Sequence, residues 1–169
     1  MRLDKSGLLD FLEEASRALP KRVTLVAVGG TAMTLLGFKS STIDIDFTGP
    51  AADVRLFEKA LKSIPHGFKI DLFMGGMVFC VELPDDYLVK SRPAGRAGKV
   101  SLRALQPLDI VVTKVARLDL RDEQDIRECI RRAGLRHGDI VARAAECGYA
   151  GDELLYAHNL SLVKGKFFD

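Results

Sequence analysis

The chain has 169 residues, 47% of them hydrophobic and 28% charged, with a formal net charge of +2. That balance belongs to a globular protein of one domain, or to a core with a small helical appendage. No apolar run approaches the roughly 18 residues needed to cross a bilayer, and acids interrupt the N-terminal MRLDKSGLLDFLEEAS where a signal peptide needs an unbroken apolar stretch.

Leu8, Leu9, Leu12, Ala15 and Leu19 recur at helical spacing, and Pro20 stops that helix. VTLVAV, from Val23 to Val28, is the β-branched run of a buried strand. Gly29-Gly30 breaks it, and TAMTLLG predicts a short helix ending at Gly37. IDIDFTG alternates apolar and polar residues as a second strand. A helix follows from Ala52 to Ile64, then a strand FKIDLF, with MVFCVEL as its hairpin partner across Gly75-Gly76. SRPAGRAGK is predicted as a Gly/Pro/basic loop and KVSLRAL as a returning strand. From Pro107 onward strand signals vanish and the pattern is helical, with breaks near Gly134 and at Gly148 to Gly151. This order predicts an α/β (α+β) core over residues 1–105 and a helical C-terminal region over 106–169 packed on it.

Cys80, Cys129 and Cys147 are far apart and lack CxxC spacing, which argues against a disulfide framework and structural zinc and fits a reducing cytoplasm. The three histidines are equally scattered. Charge is distributed unevenly. Residues 40–89 carry 4 basic and 8 acidic groups, whereas residues 90–136 carry 12 basic and 6 acidic ones. An acidic stretch followed by a basic one suits an acid-lined site that meets a polyanion; charged faces that are merely solvated are the plainer alternative.

The Gly-rich turn lacks both GxGxxG and GK[ST], so the dinucleotide fold and the P-loop fail on spacing. Without Cβ atoms, Gly29 and Gly30 let backbone N–H groups approach an anion such as phosphate. An ordinary tight strand-to-helix turn reads the same way. Thr42-Ile43-Asp44-Ile45-Asp46-Phe47 is more informative. In a strand, Asp44 and Asp46 share a face, roughly 7 Å apart at Cα, and Ile43, Ile45 and Phe47 enter the core. Two adjacent carboxylates repel unless a cation neutralises them, and such a pair suits Mg²⁺ or Mn²⁺ with positions left for triphosphate oxygens. An exposed face carrying two acids is the alternative, disfavoured because Asp is depleted in strands. Asp71, in FKIDLF, is a third candidate from an adjacent strand, or else an edge carboxylate.

If Leu108 to Leu118 is one helix, Lys114 falls within the apolar stripe of Ile110, Val111, Val115 and Leu118, where an unpaired lysine is seldom found. It either snorkels to the rim or points into a cleft. Arg117 and Arg121 follow at i+3 and i+7 as a basic stripe, and Arg121 and Asp125 are placed for an i, i+4 ion pair.

Val28-Gly29-Gly30, a spacer of thirteen residues and Asp44-Ile45-Asp46-Phe47 together resemble the nucleotidyltransferase superfamily pattern of hydrophobic-Gly-[Gly/Ser], spacer, Asp-h-[Asp/Glu]-h. The chain is similar to small prokaryotic members, the minimal nucleotidyltransferases related to AbiEii and MenT toxins. In those, a GG-[ST]-A-like turn, a [ST]-x-D-x-D strand, a lysine on a later helix and an R-[KD]-x-x-D segment recur in this order. Here the later pieces are Pro107 to Lys114 and Arg121-Asp122-Glu123-Gln124-Asp125, so the resemblance runs from Val26 to Ile130.

The resemblance implies a mixed sheet flanked by helices and metal-dependent transfer of a nucleoside monophosphate from an NTP. Phosphates would lie over Gly29-Gly30, with Thr31 as an added donor. Asp44 and Asp46 would hold the metal, Asp71 would serve as ligand or base, and Lys114 would neutralise triphosphate charge. Arg121 and Asp125 would shape the back of the nucleotide site. Related toxins act on tRNA 3′ ends or on protein hydroxyls. The basic segment from Lys90 to Arg103 suits a phosphate backbone, so RNA is the expected acceptor and an antitoxin an expected partner. Two other readings stay open. One is an inactive nucleotidyltransferase-like binding module. The other is a metal-dependent phosphohydrolase, which needs further His or Asp ligands that the scattered histidines do not supply.

Overall fold

The computed structural model describes residues 1–169. Helix α1 (Lys5–Ser16) starts where the Asp4 carboxylate accepts the Gly7 N–H at 2.8 Å, and it buries Leu8, Phe11, Leu12 and Ala15 on one face. Strand β1 (Val23–Ala27) and helix α2 (Gly29–Leu35) follow, then β2 (Ile45–Thr48), α3 (Ala51–Leu61) and β3 (Ile70–Leu72). Next come the short strands β4 (Met77–Val78) and β5 (Val81–Glu82), the single turn α4 (Tyr87–Lys90), and strands β6 (Arg92–Ala97) and β7 (Val100–Ala104). The remainder comprises α5 (Pro107–Lys114), α6 (Leu120–Ala133), α7 (His137–Glu146), β8 (Gly148–Tyr149) and α8 (Glu153–Phe167).

Five strands form a mixed sheet in the order β3-β2-β1-β7-β6. β1 runs antiparallel to β2 and parallel to β7, β2 is parallel to β3, and β6 is antiparallel to β7. Successive residues of β1 point to opposite faces, yet Leu25, Val26 and Ala27 are all fully buried, so both faces are covered. Two packed helix pairs supply that cover, α1 with α3 and α2 with α5. The C-terminal helices close on α5. Tyr156 and Asn159 of α8 donate to the Val112 and Val115 carbonyls at 2.9 Å each, satisfying acceptors that the end of α5 leaves open. Arg143 of α7 makes a buried two-bond pair with Asp109 of α5, at 2.7 and 3.1 Å. No helix is long and apolar enough to cross a membrane.

The mixed α/β architecture with a helical C-terminal part is the one expected, but several local elements differ. Asp44 precedes β2 rather than lying in it, and Ile43 is 45% exposed instead of entering the core. MVFCVEL does not pair with β3. It folds on itself as the β4–β5 hairpin and joins β8 in a separate three-stranded sheet. SRPAGRAGK contains strand β6, whose irregular register between Pro93 and Gly95 absorbs the proline that argued for a loop. The helix expected to reach Leu118 ends at Lys114, and Leu118 takes a left-handed φ of +54°. Arg121 therefore belongs to α6, and no basic stripe continues along α5.

Candidate functional site

A cleft of about 350 Å³ opens over β2, β3 and the start of α2 and is walled by α6. Asp46 and Asp71 are register partners in the parallel β2–β3 ladder, so their carboxylates share one face of neighbouring strands. Asp44, half-buried, joins them from the bend before β2. All three line the one cleft, with Asp46 and Asp71 juxtaposed by cross-strand register and not by the i, i+2 spacing of Asp44 and Asp46.

Two threonines hold this floor. The Thr31 hydroxyl donates to the Asp44 carbonyl at 3.0 Å and accepts the Asp46 N–H at 2.9 Å, while Thr42 donates to the same carbonyl at 2.7 Å. Thr31 is fully buried. Its expected role as a phosphate donor is therefore corrected: the hydroxyl is committed to the backbone that carries the aspartates. Gly29 sits in the left-handed region, with φ +54°. A Cβ there would stand 3.4 Å from Asp46 Oδ2 and 3.5 Å from Phe79 Cζ, so the glycine keeps the floor open. At Gly30 a Cβ would meet the Thr42 hydroxyl at 3.2 Å.

Asp46 is only 8% exposed. Burial, then the charges of Asp71 and Asp44, push its carboxyl up to about 7, against smaller opposing pulls from Lys69 and Lys114. A set of crowded carboxylate oxygens is the donor chemistry that a hard divalent cation takes, and such a cation would relieve this repulsion. The side chains do not themselves close as a group of three around one point. Asp46 and Asp71 would hold the ion together with oxygens supplied by a ligand.

Lys114 is buried and neither snorkels nor stands free. Its ammonium lies 2.8 Å from Asp125 and 3.2 Å from Asp122, both on α6. Asp125 also takes Lys39 at 2.8 Å, so the Arg121–Asp125 pair expected at i, i+4 does not form. Asp122 accepts two bonds from Arg117, at 2.8 and 2.9 Å. Burial alone would raise Asp122, but the Arg117 bonds and the Lys114 charge outweigh it and hold the carboxyl below its usual range. The helix break at Lys114 makes this network possible, because it folds α6 back across the end of α5.

Six cations, Arg2, Lys39, Lys69, Lys114, Arg117 and Arg121, line the cleft beside four aspartates. This surplus can meet a polyanionic ligand at the acidic floor. The segment from Lys90 to Arg103 lines none of it. Lys99 donates to the Leu19 carbonyl and Arg103 binds Ser91. Arg92 and Arg96 are exposed on β6, three strands or roughly 14 Å from β2. Lys39, Lys69 and Phe79 were not legible as site residues, and Thr42 was legible only as the first residue of the Thr-x-Asp-x-Asp motif, without its role as a brace. Lys39 lies in the spacer between the two motifs, where the proximity of that spacer to the aspartates was the available signal. Phe79 carried none.

A family model described as a nucleotidyltransferase of unknown function, DUF6036, matches residues 6–136, more than three quarters of the chain. Neither the curated proteins nor the solved structures give a match.

Proposed function

The chain belongs to this family of nucleotidyltransferases, and on that premise we propose that it transfers a nucleoside monophosphate from an NTP to an acceptor hydroxyl. The observation that carries the proposal is the register pair Asp46–Asp71 facing Gly29 within a cation-rich cleft. Asp46 and Asp71 are the residues that would hold Mg²⁺ or Mn²⁺, with the charge of Asp44 beside them, and the ion when bound would supply neutralisation of phosphate charge. Gly29 and Gly30 let the triphosphate approach the backbone, and the half-buried Lys39 and the exposed Arg121 draw its oxygens into place. Lys114 faces two carboxylates already, so it acts mainly by fixing Asp125 and the α6 wall. The acceptor oxygen attacks the α-phosphorus, the bond to the β-phosphate oxygen breaks, and pyrophosphate leaves. Asp71, more exposed than Asp46, takes the acceptor proton when it is not a ligand. Positioning and charge stabilisation provide the rate enhancement, and no covalent nucleophile is required.

The cationic surplus favours a polyanionic acceptor, RNA such as a tRNA end, over a protein hydroxyl. A toxin role with an antitoxin partner belongs to the same proposal and rests only on the resemblance of the Gly-Gly and Asp-x-Asp motifs to those of AbiEii- and MenT-related proteins. The second reading, an inactive nucleotide-binding module, is favoured by the lack of three acidic side chains closing on one point. Incubation with each labelled NTP separately, in the presence of total RNA or total protein, tests the proposal. Label should enter one acceptor class in the parent and none in Asp46→Asn. Transfer at the parental rate in Asp46→Asn refutes the mechanism. Nucleotide binding by the parent with no transfer to either pool favours the module.

A further inference from the structure

Among the residues lining the cleft, only Ile43 and Phe79 are apolar, and Phe79 is the only aromatic. Phe79 occupies an unusual position. With Cys80 it forms the two-residue turn of the β4–β5 hairpin, where Val78 pairs with Val81. Both turn residues have positive φ, +50° and +67°. Hairpin turns of this shape are normally Asn-Gly or Asp-Gly, because a side chain with a Cβ is disfavoured there. A bulky aromatic kept in such a conformation is the kind of outlier found where a side chain must be delivered to one spot.

That spot is the acidic floor. A Cβ on Gly29 would lie within 3.6 Å of two Phe79 ring atoms and 3.4 Å from Asp46 Oδ2, so ring and carboxylate flank the same glycine. Phe73 supports the ring edge-on, with centroids 5.1 Å apart. The Arg117 guanidinium lies over one face of the ring, 5.6 Å from its centroid, and is oriented by its two bonds to the buried Asp122. A supported phenyl ring with a fixed planar cation stacked over it is a π surface of two layers at the edge of an otherwise polar, phosphate-suited cleft, and both members line that cleft.

We propose that Phe79, with Arg117 beside it, is the platform on which the nucleobase of the bound nucleotide stacks. The inference rests on the nucleotide reading of the cleft and adds the residue that holds the base. Stacking accepts any base, because each has a π face, so the platform contributes affinity and orientation more than choice among bases. The phosphates are met by the backbone at Gly29-Gly30 and by the other cations, so loss of the ring's π face should act on the base more than on them.

The test is titration calorimetry of the full chain with Mg-NTP and, separately, with Mg-tripolyphosphate, which has the phosphates but no base. The parent should bind the NTP at least tenfold more tightly than tripolyphosphate. Phe79→Leu keeps an apolar side chain against Phe73 but removes the π face. It should lose about tenfold in NTP affinity while tripolyphosphate binding stays within twofold, and Phe79→Tyr should restore the NTP affinity. An unchanged NTP affinity in Phe79→Leu overturns the platform. Equal loss for both ligands also overturns it, because the ring then only shapes the floor. A parent that binds tripolyphosphate as well as NTP refutes base recognition yet leaves the phosphate site standing. A parent that binds neither refutes the nucleotide reading, and the platform with it.

Discussion

Asp46→Asn should stabilise the metal-free protein, and the gain should depend on pH in a defined direction. The Asp46 carboxyl is raised from 3.8 to about 7, first by burial and then by Asp71 and Asp44. The folded protein therefore holds this proton more tightly than the unfolded chain does. The stability linked to it is fully present below pH about 4 and is lost as pH rises through about 7. A rise of about 3 units at ~1.36 kcal/mol each corresponds to about 4 kcal/mol. Asp71 is 44% exposed at its side chain, so solvent screening of its repulsion lowers the realistic gain to about 2–4 kcal/mol at pH 8. For a chain of this size that is roughly 4–16 °C in Tm. Thermal melts in chelator from pH 4 to 8 should give parent and variant curves that coincide near pH 4 and diverge upward. Adding Mg²⁺ at pH 8 should then raise the parent more than the variant. Curves that run parallel across the whole range would refute the claim that this carboxylate is held at an electrostatic disadvantage.

Gly29→Ala places a Cβ at φ +54° and should lower stability by about 1–2 kcal/mol and weaken nucleotide binding, whereas Gly30→Ala, which only crowds Thr42, should cost less in a paired melt. Asp122→Asn removes a buried carboxylate from both Lys114 and Arg117 and should cost about 3–5 kcal/mol near neutral pH, measured by denaturant unfolding. Because Asp122 is held below its usual value, its contribution is present above about pH 4 and lost as pH falls further, so the variant should show a flatter acid-unfolding profile than the parent. Replacing the exposed Arg92 and Arg96 with glutamine should reduce the logarithmic salt slope of RNA binding by about 1.4, at ~0.7 per single-strand phosphate contact. NTP affinity should be unaffected, and an unchanged slope assigns RNA contacts elsewhere.

What could be read from the residues alone was whatever depends on near neighbours in the chain. The β-branched run of β1, the glycine break and the apolar spacing of α1 are local patterns, and the structure carries all three. The Gly29-Gly30 turn and the Asp44–Asp46 segment were legible for the same reason, since motif spacing survives in one dimension. Strand limits were less legible. The pairing of MVFCVEL depends on which edge is free, and only the folded chain shows that β5 joins β8, some 66 residues downstream, instead of β3. The character of Lys114 was visible as a charge in an apolar stripe, but its partners were not. They sit on the next helix, and only the turn after Lys114 folds that helix back to bring Asp122 and Asp125 within reach. Asp71 became a neighbour of Asp46 through the parallel β2–β3 register, and Phe79 reached the floor through a left-handed turn that no composition rule favours. Each of these contacts joins residues distant in sequence, and its geometry is set by packing of whole elements, which local propensity does not encode.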